Sequence, residues 1–141
     1  GEFERLYAAT LGSELDLSEG LGVRLRELSD ALDCFILHKG RITTVTAPGQ
    51  RIYGMNAGHS YAATAGSGDV LSGILGATLA QVDAAEAAAE TIIMEILHAA
   101  AIHQHAAAIA AHTPDGFGLC SASQIAAAVP QAIARLLVMQ R

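Results

Sequence analysis

Residues 65–69, Ala-Gly-Ser-Gly-Asp, set four small residues before a carboxylate, and an apolar helical pattern follows at once with Val70, Leu71, Ile74 and Leu75. The start of a helix carries unpaired N–H groups and a partial positive charge. Small side chains let a phosphate approach those N–H groups. The Gly66-Ser67-Gly68 segment therefore suits an anion cradle, and Asp69 falls in the first helical turn. There the carboxylate form is favoured by about 0.3–1 kcal/mol at an exposed site. A carboxylate beside an anion hole can take the proton of a substrate hydroxyl while the amides hold a transferring phosphoryl group. The same residues also suit a plain turn with a first-turn acid, and the local pattern leaves both readings open. No Lys-Ser/Thr pair follows the glycines as in a Walker P-loop, and no strong strand runs directly into them as in a dinucleotide fingerprint.

The elements that must position this turn follow from periodicity. Leu21, Leu25, Leu28 and Leu32 recur at helical spacing and predict an amphipathic helix over 21–32. Residues 34–38 read as a short buried strand, giving an α/β unit. The β-branched run 42–47 and residues 51–55 read as a hairpin or meander, with Pro48-Gly49 suited to a type II turn. A Gly/Ala/Ser loop spans 56–67, and a helix is predicted over 68–81. The Ala-rich stretch 83–112 predicts one long helix, broken by Thr-Pro-Asp-Gly-Phe-Gly. Ser121 or Ser123 caps a last helix, with Pro130 inside its apolar pattern. The first ten residues read as a short helical turn, and Gly73 and Gly76 as sites of close helix packing.

The 141 residues suffice for one domain with a core. Mean hydropathy is +0.37, but alanine supplies much of it, so bulky core residues are fewer than that value implies. No uninterrupted apolar run reaches the roughly 18 residues of a membrane span, so a soluble chain with no membrane partner is expected. A net charge of −6 argues against nucleic-acid binding, which needs a basic face. Cys34 and Cys120 stand in no motif and read as two buried thiols of a reducing compartment. His98, His105 and His112 recur every seven residues, about 10.5 Å apart along a helix, too far to chelate one ion. His103 and His105 point to different faces. No metal site is expected, and these histidines read as surface or interface residues.

The stretch 56–81, Asn-Ala-Gly-His-Ser-Tyr-Ala-Ala-Thr-Ala-Gly-Ser-Gly-Asp-Val-Leu-Ser-Gly-Ile and onward, resembles the signature of the ADP/ATP-dependent NAD(P)H-hydrate dehydratases of the ribokinase-like superfamily. Lys39-Gly40-Arg41-Ile42-Thr43 occupies the place of the family's K-G-x-x-T nucleotide segment. The initial Gly-Glu resembles the end of a family stretch that a His-Pro pair opens. The resemblance implies a three-layer α/β/α domain, helix-rich with a few strands near 34–38, 42–47 and 51–55. It implies that a nucleotide's phosphate passes to the hydroxyl of hydrated NADH or NADPH and is then eliminated to restore the nicotinamide ring.

By the same resemblance, Asp69 is the catalytic base and contacts the substrate. Gly66, Ser67 and Gly68 form the anion hole, and Lys39, Gly40, Arg41, Ile42, Thr43 and Gly68 bind ADP or ATP, with Mg2+ as a companion. Asn56, Gly58 and His59 would contact the substrate, although the family usually has Asn where His59 stands. After His98 the family often has a small-residue and Asp pattern. Ile102 and His103 stand there, and no function carries over to them. The resemblance further implies one partial domain over 1–141, without the family's N-terminal half. A sheet edge and apolar helix faces would then be exposed, favouring a homo-oligomer. The expected setting is cytoplasmic. A small-molecule kinase of the same superfamily shares the turn and is the rival enzyme. A catalytically silent nucleotide-binding or assembly module is the rival from another class.

Overall fold

The helix predicted over 21–32 spans those residues, because its leucines supply one apolar face and Asp33 ends it in the left-handed conformation at φ 48. The computed structural model describes residues 1–56, 60–83 and 85–139. In chain order the elements are α1 (Glu2–Leu11), α2 (Leu21–Leu32), β1 (Ile36–His38), β2 (Ile42–Thr46) and β3 (Tyr53–Asn56). A 3-10 turn (Ser60–Ala62), α3 (Ser67–Leu79), α4 (Ala89–Ala111), β4 (His112–Thr113), β5 (Gly116–Phe117) and α5 (Ala122–Met139) follow. The chain is helix-rich with few strands, as expected.

Several boundaries differ from the periodicity for identifiable reasons. The first ten residues form a ten-residue helix rather than a short turn. Gly12 closes it at φ 68, and Tyr7 docks it on α2 by donating its hydroxyl proton to Glu27 at 2.5 Å. The first strand starts two residues late because Cys34 belongs to the end of α2. Its N–H donates to the Ser29 carbonyl, and its own carbonyl accepts the Ser29 hydroxyl at 2.7 Å. The long helix starts at Ala89, not 83. Asp83 Oδ1 accepts the Ala85 N–H at 3.1 Å, a side-chain turn that competes with helix there. The Thr-Pro-Asp-Gly break is itself a hairpin, β4 pairing with β5, and Phe117 stacks on Tyr61 with centroids 4.8 Å apart. Ser121 caps α5: its hydroxyl accepts the Gln124 N–H, and Gln124 Oε1 accepts the Ser121 N–H at 2.8 Å.

β1, β2 and β3 form an antiparallel sheet in that order, with Leu37 opposite Val45 and Val45 opposite Tyr53. Gly49 takes φ 66 in the turn closed by the Gln50 N–H on the Ala47 carbonyl. Thr43 through Thr46 are all buried. Successive strand residues face opposite ways, so both faces of β2 are covered. Helix α2 lies against β1 and β2, and α4 lies against β2. Val45 and Ala47 pack with Ile93 and Ile96 of α4.

Helix α4 is the centre of the molecule. It touches β2, α3, α5 and the 3-10 turn. Its second half packs alanine on alanine: Ala106, Ala107 and Ala111 meet Ile125, Ala128 and Ala132 of α5. At 23 residues, α4 is long and apolar enough by length and composition to cross a bilayer, contrary to the expectation from uninterrupted runs. In this fold one stripe of it, from Ile93 to Ala111, is buried against its neighbours. The rest of the α4 surface and that of α5 leave apolar groups uncovered, among them Met94 on α4 and Ile133, Leu137 and Val138 on α5.

Gly73 and Gly76 correct a second expectation. A Cβ at either position would meet nothing within 4 Å, so neither serves a close helix approach. Gly73→Ala should therefore raise stability by about 0.8–1 kcal/mol, the helix-propensity difference alone. Urea denaturation of the two forms measures it, and a destabilised variant would mean that something occupies the space beside Gly73.

Candidate active site

Gly66 shapes the start of α3. It takes φ 80, a region that residues with a Cβ rarely enter. A Cβ there would also lie 3.1 Å from Ala122 Cβ and 4.0 Å from Asp69 Oδ2. The glycine thus lets α5 and the Asp69 carboxylate close on the turn together. Its carbonyl accepts the N–H groups of Asp69 and Val70 at 3.1 and 3.2 Å, and the Ser67 N–H donates to the Thr64 carbonyl. Among the described residues the Gly68 N–H has no acceptor. A Cβ on Gly68 would meet nothing within 4 Å, so no packing demands a glycine there. The turn presents one open amide and one exposed carboxylate, Asp69, side by side.

Ser67 behaves differently from its neighbours. It is fully buried, and its hydroxyl points into the protein. Oγ lies 3.2 Å from Lys39 Nζ and 3.1 Å from His103 Nε2. His103 Nε2 also lies 3.0 Å from the Ser67 carbonyl oxygen. Lys39 Nζ further reaches the Ala62 carbonyl at 3.4 Å. Lysine, serine and histidine in a row resemble an activated nucleophile, but a serine with no exposed surface cannot attack an external substrate. The cluster is a support beneath the turn.

Electrostatics follow from burial. Removal from water pushes the His103 pKa below the ordinary histidine value, and the Lys39 charge pushes it the same way. The bond to the Ser67 carbonyl opposes them more weakly. Lys39 is exposed as a residue, yet its ammonium reaches under the turn, and burial lowers its pKa too.

The structure brings Lys39, Gly66, Ser67, Gly68 and Asp69 together. Gly40 and Arg41 lie exposed in the loop between β1 and β2, at the same end of the sheet. Ile42 is 57% exposed and pairs with Asn56, which ends β3. Thr43 is turned inward and is 1% exposed. Gly58 and His59 lie outside the described residues. His103 was read as a surface or interface residue, and its burial corrects that. The signal was present: Ile93, Ile96, Ala100, His103 and Ala107 fall on one helical stripe, and all are buried.

A model of the family described as NAD(P)H-hydrate dehydratase matches residues 1–128. The chain is 38% identical to a bifunctional NAD(P)H-hydrate repair enzyme of Corynebacterium glutamicum over 96% of its own length and 26% of that protein. It is 44% identical to the Mycobacterium leprae enzyme of the same name over 79% of this chain and 22% of that one. An ADP-dependent (S)-NAD(P)H-hydrate dehydratase of Neisseria meningitidis is 42% identical over 40% of this chain and 19% of its own. The chain thus spans about a quarter of the length of the first of these relatives. No solved structure matches it.

Two outcomes follow from the geometry. Gly66→Ala should lower stability by about 1–3 kcal/mol, the cost of a strained backbone position, whereas Gly68→Ala should leave it within about 0.5 kcal/mol in urea denaturation. His103 is neutral in the fold, and its pKa lies below the unfolded value of about 6.5. Its contribution is therefore fully present above about pH 6.5 and is lost as pH falls toward the folded pKa, where the unfolded chain binds the extra proton. Denaturation midpoints should fall as pH drops below about 6.5, less steeply in His103→Gln.

Proposed function

Because the chain belongs to the NAD(P)H-hydrate dehydratase family, whose fold is ribokinase-like α/β, we propose that it carries the phosphoryl-handling half of a nucleotide-dependent repair of hydrated NADH and NADPH. The observation that carries this reading is the exposed Asp69 carboxylate beside the open Gly68 amide at the start of α3. Asp69 takes the proton of the substrate hydroxyl, and the hydroxyl oxygen attacks the terminal phosphorus of the nucleotide. The Gly68 N–H and the positive end of α3 stabilise charge on the moving phosphoryl group. The bond from phosphorus to the bridging oxygen breaks, and the shortened nucleotide leaves with that electron pair. The carbon–oxygen bond of the phosphorylated substrate then breaks. Phosphate departs, a proton leaves the adjacent ring carbon, and the ring double bond returns.

The name of the Neisseria relative favours ADP over ATP. Magnesium arriving with the nucleotide would neutralise phosphate charge. The Asp69 carboxylate is a fitting hard donor for it, and among the described residues no group of three ligating side chains converges. Lys39, Gly40, Arg41 and Ile42 line the neighbouring sheet end where the nucleotide's sugar and base would lie, with Asn56 opposite. Thr43 supports that edge from inside. The reaction fits a cytoplasmic setting, and the uncovered Ile133, Leu137 and Val138 suit self-association. A kinase of the same superfamily would leave a phosphorylated metabolite, whereas this reading requires free phosphate and recovered absorbance of the reduced nicotinamide. The relatives' names favour the latter.

Titration calorimetry with ADP and magnesium tests the site directly. Gly68→Val should weaken binding at least tenfold with little loss of stability, because a Cβ there meets nothing within 4 Å. Asp69→Asn should bind ADP within a few-fold of the parent and lose turnover of hydrated NADH by about 10²–10⁴-fold. Undiminished turnover in that variant would overturn the assignment. Binding without any turnover in the parent chain would favour the silent module.

A further inference from the structure

We propose that His103 is a positioning residue for the Gly66–Asp69 turn, acting through Ser67 to hold the Gly68 amide and the Asp69 carboxylate in the geometry that a phosphoryl group requires. This rests on the reading of that turn as the phosphoryl site. His103 comes from the middle of α4, and Ser67 is the first residue of α3. One ring atom, Nε2, contacts both the carbonyl and the hydroxyl oxygen of that serine, at 3.0 and 3.1 Å. Both residues have 1% or less of their surface exposed.

Proton bookkeeping selects one arrangement. The carbonyl oxygen only accepts, so Nε2 must carry hydrogen to bond it. Lys39 has only protons to give, so the Ser67 hydroxyl oxygen accepts from it. Both oxygens of Ser67 are thereby acceptors, and the serine is pinned from two sides, by α4 and by the loop after β1. Around His103 the buried face of α4 offers Ala99, Ala100, Ala106 and Ala107, none of which can replace the bond. Of the charged groups on the elements packed against α4, Lys39 is the one whose field reaches His103. Asp69 stands on the solvent side of the turn. The 3-10 turn and α5 bring apolar groups to this part of α4.

Pinning matters because the segment has two glycines within three residues. Such a turn has many accessible conformations until something fixes it. Ser67 lies between them, so a bond to its carbonyl fixes the peptide that joins it to Gly68. That peptide's N–H is the open amide. A second proton on His103 would set an imidazolium beside the Lys39 ammonium. It would push the support apart from within, while the solvent face of the turn kept its composition.

The test uses the whole chain with two variants: His103→Gln, which keeps a donor near Nε2, and His103→Leu, which does not. The Gly68 amide resonance, followed by nitrogen–proton NMR across about pH 5–8, should titrate in the parent chain. It should be flat in the Gln form and displaced and broadened in the Leu form. ADP affinity with magnesium should fall at least tenfold in the Leu form and stay within about threefold in the Gln form. It should also lose less at low pH in the Gln form than in the parent chain, the nucleotide's own titration being common to both. A Gly68 resonance in the Leu form that matches the parent, or a pH response that persists in the Gln form, would overturn the proposal. Should the parent chain fail to bind ADP, the functional reading of the turn fails, and the Gly68 resonance still decides the role of His103.

Discussion

The buried contact between His103 and Ser67 is the point through which the site is tied to the rest of the protein. α4 packs one buried stripe against β2, α3, α5 and the 3-10 turn, and His103 lies on that stripe. The Gly-rich turn has no comparable packing on its outer side, where Gly66, Gly68 and Asp69 are all exposed. The bonds from Nε2 transfer the position of the packed helix to the exposed turn. The Lys39 ammonium adds a second anchor from the β1–β2 connection. A site built this way has a hard foundation and a soft, ligand-facing surface, which is what a phosphoryl-transfer site needs.

The glycines divide into those that the fold needs and those that it does not. Gly66 is needed, since at a φ of 80 a side chain is strained and its Cβ would crowd Ala122 at 3.1 Å. Gly68 is not needed by any described neighbour, so under the proposed reading its lack of a side chain serves the ligand that approaches the Gly68 amide. That distinction separates a ligand-facing glycine from a structural one more sharply than the motif does. The motif writes both with the same letter.

Much of the architecture was legible from side-chain spacing. The leucines of α2 gave its limits, and Pro48-Gly49 gave the hairpin turn. Misplaced boundaries trace to interactions that spacing does not encode. The Asp83 side-chain bond delays α4, and the Ser29–Cys34 bonds hold Cys34 to the end of α2 and delay β1. α1 exceeds its local signal because Tyr7 docks on Glu27, a contact between residues twenty apart. At the site, the local chemistry of Asp69 and the glycines was readable, but the inward rotation of Ser67 and Thr43 was not. Each was assigned by its letter in a motif, and burial is a property of the tertiary neighbours. His103 shows the converse. Its stripe of alanines marked a buried face, yet its residue type suggested a surface.

The seam between α4 and α5 is rich in alanine, with Ala106, Ala107, Ala111, Ala128 and Ala132 around Ile125, so the two helices pack closely. α5 begins at Ala122, whose methyl sits over Gly66. The two facts together make the clearance at the turn a matter of leverage. Side chains larger than Ala107, Ala111 or Ala128 would press α5 away from α4, and α5, which carries Pro130 within its eighteen residues, begins where Ala122 meets the glycine. Buried side chains of the α4–α5 seam thereby help set the clearance at Gly66.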